Sequence, residues 1–209
     1  MTRLHFPFTR RASRAQSLVE FAVALPIFMV LLLGMLEFGF VFTHHLGLEY
    51  ATREGARMGA ALANGTSQVP CTDVDNNIIA SLQRVVTSPG SQVNAARINS
   101  IQIYDADSAG LPIGGAVNTW IPGSDGTVVD GSNLIWKVSS VGWNACTAGA
   151  RKNGSGYVGG ATPNTDSIGV SVNYTYVFVT PLGGLLHMFG SGQLTLSDRT
   201  TMALNPSAG

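Results

Sequence analysis

Within Ser13-Arg14-Ala15-Gln16-Ser17-Leu18-Val19-Glu20-Phe21, a carboxylate, Glu20, stands between a group of arginines and an apolar run of membrane length. An ionisable group at such a place needs a partner, so Glu20 is the first residue whose chemistry asks for an explanation. Glu37 is the second, because it is the sole ionisable side chain from Phe21 to Phe42. Its spacing of 17 residues from Glu20 corresponds to about 25 Å along a helix, near the far end of the run. Snorkelling to the interface and pairing with another subunit are both open to it. The other candidate groups carry less. Asp105-Ala106-Asp107-Ser108-Ala109-Gly110 begins like a calcium loop, but Ala109 and Ala116 stand where ligands are needed, so it reads as a hairpin turn. His44 and His45 are adjacent and would point about 100° apart on a helix, which does not make a metal pair. No G-x-S-x-G, phosphate-binding glycine loop or Cys-x-x-Cys occurs. The reading is therefore not an enzyme, with no catalytic set, no metal site and no cofactor. Trp120, Trp136 and Trp143 read as core residues rather than a carbohydrate surface.

These residues are positioned by a chain of 209 residues with equal numbers of acids and bases. The charges are unevenly placed. Residues 1–15 contain Arg3, Arg10, Arg11 and Arg14 and no acid, whereas residues 58–209 carry eight acids against six bases. A general nucleic-acid surface is excluded on that distribution. The 22 residues from Phe21 to Phe42 make a helix of about 33 Å, enough to cross a hydrocarbon core of about 30 Å. Arginines on its N-terminal side place the N-terminus in the cytoplasm and the rest outside. The run is longer than the core of a cleaved secretory signal and continues into a helical pattern rather than a small-residue exit.

Beyond it, Val41, His44, Leu48, Ala51, Gly55, Met58 and Leu62 recur at steps of three and four, one stripe of a helix. Glu49 with Arg53 and Glu54 with Arg57 support its exposed side. Asn64-Gly65 stops it. One long helix thus covers residues 16–63, and Ala51, Gly55 and Gly59 offer a small-residue face for close packing. Residues 72–88 read as a second helix capped by Thr72 or Asp73 and ended by Pro89-Gly90. The period then changes to two: Ile101 and Ile103, Leu134–Val141, the long alternation Ile168 to Phe178, and Leu194 to Leu204 read as strands. The last is interrupted on its apolar face by Asp198 and Thr200. Residues 105–133 and 144–166, rich in Gly, Asn and Ser, read as loops. Cys71 and Cys146, both outside the membrane, read as a disulfide closing a loop of 76 residues. The fold class is α+β: a long N-terminal helix, half transmembrane and half amphipathic, packed on a small extracytoplasmic antiparallel sheet domain at 64–209.

"QSLVEFAVALP", "LEFGFVF" and "YATREGARMGAA" resemble the TadE-like minor pseudopilins of tight-adherence (Tad) pili, relatives of the type IV prepilins. The resemblance is dense over residues 10–62. It is looser at "VNYTYVFVTPLGGLL" and "LTLSDRTTMAL". It implies a pilin-like lollipop, a basic leader at 1–15, and cleavage between Ala15 and Gln16 by a membrane prepilin peptidase. Prepilins usually carry Gly before the cut, and this chain has Ala15. Cleavage would make Glu20 the fifth residue of the mature chain. A new amine on Gln16, with a reference pKa of about 7.7–8.0, could then neutralise Glu20 or its counterpart in a neighbouring subunit. Glu20, Pro26 and Glu37 become assembly residues on this reading, with Pro26 loosening the helix by leaving the Ala22 carbonyl without its donor. The implied partners are other pilus subunits, Tad assembly-platform proteins, the peptidase and the lipid bilayer. A permanently anchored surface-binding module that never enters a filament is the alternative.

Overall fold

A computed structural model describes residues 10–147, 150–151, 165–181, 183–184 and 192–204. The first helix, α1, runs unbroken from Arg10 to Leu62, 53 residues or about 80 Å. It begins upstream of the expected start, so helical backbone continues across the Ala15–Gln16 bond, and it continues through Pro26 as well. Its stop is close to the expected one. Ala63 (φ 47°) and Gly65 (φ 115°) leave the right-handed region, and the Gly65 N–H closes on the Leu62 carbonyl at 2.7 Å. A side chain at Gly65 would also meet the backbone of Cys71 at 2.8 Å, so glycine is required there on both counts.

The chain forms two compact units, Met1–Phe40 with Val177–Gly192, and Val41–Tyr176 with Gln193–Gly209. In the first, α1 presents Leu18, Phe21, Ile27, Leu31, Met35 and Phe38 to its surroundings, all well exposed. It is long and apolar enough to cross a membrane, and its most apolar window is not buried within the protein.

The second unit contains α1 from Val41 onward, helix α2 (Val74–Val86), and strands β1 (Ile98–Ala106), β2 (Pro112–Pro122), β3 (Val128–Val129), β4 (Ser132–Asn133), β5 (Trp136–Val141), β6 (Ser167–Val177, to Tyr176) and β7 (Gln193–Ala203). Five strands make one sheet in the order β5-β2-β1-β6-β7, and β3 pairs with β4 separately. The β1 strand is antiparallel to both β2 and β6, with Ile101 opposite Trp120 and Val172, and Ile103 opposite Asn118 and Val170. Those alternate side chains, with Tyr174 and Tyr176 from β6, are buried. Val170 and Ile168 of β6 reach α1 at Gly55 and Gly59, beside Ile78 of α2, and Leu48, Ala51, Ile79 and Leu82 of the helices are buried as well.

Residues 105–133 depart from the expected loop. They contain β2, 11 residues long, and the short β3–β4 hairpin. Gly114-Gly115 and Asn118 obscure the alternation along β2, yet its register with β1 places Asn118 and Trp120 inward. Pairing between distant segments outweighs a weak local pattern here. The second helix is two residues shorter at each end than the expected 72–88, and the Asp73 side chain makes no capping bond. Its last carbonyls are instead bonded by the hydroxyls of Thr87 and Ser88. All three tryptophans are buried, and Asp107 closes the β1–β2 turn by accepting from the Ala109 and Leu111 N–H groups, each at 2.8 Å.

On the other face of the sheet, Tyr104 lies over Gly169, its cross-strand partner, and donates its hydroxyl to the Gly110 carbonyl at 3.1 Å. A methyl group on Gly169 would collide with that ring. Gly169→Ala should therefore expel Tyr104 and destabilise the second unit by about 1–3 kcal/mol, read by chemical denaturation of the full chain in detergent.

Candidate membrane and assembly site

Near the start of α1 the helix brings Gln16 and Glu20 together, because residues four apart share a face and side chains lean toward the N-terminus. The Gln16 amide donates to Glu20 Oε1 at 3.1 Å, and both side chains are exposed. An amine created on Gln16 would add a cation on the residue that already faces Glu20. Glu37, about 25 Å further along α1, has different surroundings. Only 4% of it is exposed, although Leu36 and Phe38 on either side are open. Its two oxygens accept from the backbone N–H groups of Val179 (3.0 Å) and Thr180 (2.9 Å). The glutamate is thus held by backbone donors of its own chain.

The small-residue stripe packs inside the second unit. A Cβ on Gly55 would meet Val170 at 3.3 Å and Ile78 at 3.6 Å; one on Gly59 would meet Ile168 and Ile78 at 3.0 Å or less. Ala51 is fully buried. His44, the polar member of the stripe, lies against the rings of Tyr174 (5.9 Å) and Tyr176 (5.0 Å, edge-on). The two polar interruptions of β7 also have a purpose. Asp198 and Thr200 bond to Thr52, a buried residue of α1, the second at 3.0 Å. This polar link fixes which turn of the helix faces β7.

On the solvent side, Arg53 pairs with Glu49, and Arg57 donates twice to Glu54 at 2.7 and 3.0 Å. The Arg57 guanidinium holds the Glu54 carboxyl below its ordinary range, and Glu54 raises Arg57 in return. Burial pushes the Tyr104 phenol up, against a smaller opposing effect of Arg199.

Cys71 and Cys146 form the expected disulfide, with Cα atoms 5.1 Å apart. Beside it lies a polar cluster that the sequence reading missed. Arg151 is fully buried, 4.6 Å over the Trp143 ring, and pairs with Asp75 of α2 at 2.5 Å. It also donates to the Trp143 carbonyl at 3.1 Å. Asn118 completes the cluster, donating to Asp75 and the Trp143 carbonyl and accepting from the N–H groups of Gly142 and Trp143. The one sequence signal was an arginine in a stretch of small polar residues. Most of the segment expected as a loop at 144–166 lies outside the described residues. Among the described residues no three His, Cys, Asp or Glu side chains converge as a metal site.

The disulfide and the Asp75–Arg151 pair both join the start of α2 to the chain after β5. Replacing both cysteines by serine should cost up to about 4.5 kcal/mol, the chain-entropy value for so long a loop. Arg151→Ala should cost about 3–5 kcal/mol by leaving Asp75 without its cation. Unfolding of the single and combined variants in detergent would check both values.

Residues 15–57 match the family model described as TadE-like protein. No curated protein and no solved structure matches the chain. The matched segment begins at Ala15 and ends within α1, covering the apolar run and most of the small-residue stripe. Over that segment, about a fifth of its length, the chain is similar to TadE-like proteins.

Proposed function

We propose, from the TadE-like segment at residues 15–57, that the protein is a structural minor pilin or pseudopilin of a Tad pilus. The observation that carries this reading is the coincidence of that segment with an exposed apolar helix that has a carboxylate in its first turns. The N-terminus lies in the cytoplasm, α1 crosses the membrane at about residues 21–42, and residues 64–209 form the domain outside. A prepilin peptidase cuts between Ala15 and Gln16. Since α1 is helical on both sides of that bond, its first turns must unwind to enter a protease cleft.

The new amine then neutralises a Glu20 carboxylate, its own or a neighbour's, as the apolar helix moves from lipid to a bundle of subunit helices. A charge entering such a bundle needs its partner there. Pro26 allows local loosening of the helix between those neighbours. Other pilus subunits and the Tad assembly platform are the partners, and the outer domain is displayed at the surface, at the filament tip. Glu37 has no intersubunit role in this scheme, because its oxygens are engaged in cis.

Intact mass and N-terminal sequencing of the membrane-bound protein, with and without the host's prepilin peptidase, test the scheme. A chain starting at Gln16 only when the peptidase is present is the expected result. Glu20→Gln should then still be cut but enter sheared pilus fractions in strongly reduced amount. A chain that keeps its arginines in both strains would favour the permanently anchored binding module instead.

A further inference from the structure

The charge left in the apolar run locates a second element. Glu37 is five residues before Phe42, about 7.5 Å from the end of the run. The backbone N–H groups of Val179 and Thr180, bonded to its carboxylate, must lie at nearly the same depth. They follow directly on the end of β6 at Val177, within the compact unit that includes the apolar part of α1.

A carboxylate at that depth is costly without donors, and backbone N–H groups there are costly without acceptors. Each satisfies the other. The side chains suit the same location. Val179 is 65% exposed, as open as its lipid-facing neighbours on α1, Leu36 at 57% and Phe38 at 72%. Phe178 precedes it and Pro181 follows one residue beyond Thr180, and the chain has no Asp, Glu, Lys or Arg from Ser167 to Ser197. An uncharged, apolar connection bonded to a membrane helix continues that helix's lipid-facing surface.

We infer that the connection after β6, from Phe178 to Pro181, is an interfacial membrane anchor. It inserts beside α1 into the leaflet at the C-terminal end of the span, held at its depth by Glu37, and its apolar side chains contact lipid. The inference rests on α1 crossing the membrane, and is independent of cleavage or filament assembly.

The native cysteines are both in the disulfide, so a new cysteine takes a thiol-reactive fluorophore alone. Val179→Cys and Leu36→Cys, labelled in the full chain, are reconstituted in phosphatidylcholine vesicles carrying acyl-chain nitroxides close to the headgroup. Lipid quenching at both positions, with both shielded from aqueous iodide, is the expected result. Adding Glu37→Ala should abolish most of the lipid quenching at position 179 and leave position 36 unchanged. Quenching at 36 but not at 179, with iodide reaching 179, overturns the anchor while the span stands. Failure at both positions overturns the span and the anchor with it. Unchanged quenching at 179 in the Glu37→Ala protein overturns the role given to Glu37.

Discussion

A helix can approach a sheet only as closely as the side chains between them allow, and at Gly55 and Gly59 α1 has none. There Val170 and Ile168 of β6, with Ile78 of α2, fill the space that a Cβ would take. Interiors packed at crystal-like density tolerate little change at such a contact. The arrangement of the second unit depends on it: β6 is fixed on α1, β1 pairs with β6, β2 with β1, and β5 with β2. The Thr52–Asp198–Thr200 link sets β7 on the same helix by polar bonds. A slip of α1 along the sheet would separate those groups and drive side chains into the glycine positions.

The far side of the unit is held differently. Small domains with long, polar connections gain from covalent closure, and the Cys71–Cys146 bridge joins the chain before α2 to the chain after β5. Arg151 lies along the same seam. Its guanidinium is stacked on Trp143 and paired with Asp75, so the charge is buried with a counter-ion and an aromatic face. Removing one partner of such a pair is costly because the other remains buried.

The two glutamates of α1, Glu20 just before the apolar run and Glu37 within it, are placed in two different ways. Glu37 is enclosed and satisfied by backbone donors of its own chain. Glu20 is open, bonded only locally to the Gln16 amide among the interactions described. A buried, satisfied carboxylate holds structure in place; an exposed one near a helix terminus is available to another group. The roles proposed for the two residues follow from that difference.

Local features of the chain determined much of this. The length of the apolar run, the three-and-four stripe of α1, the alternation of β6 and the presence of just two cysteines depend on composition and short-range period. They were legible in the sequence. The tertiary structure alone decided the strand order, the inclusion of β2 and the partners of Glu37 and Arg151. The alternation of β2 is broken by Gly114, Gly115 and Asn118, and its inward face is assigned by register with β1. Glu37 is 142 residues from the first amide it binds, and Arg151 is 76 residues from Asp75. Side-chain period acts over a few residues, whereas a hydrogen bond between such distant groups exists only once the path of the chain has brought them together.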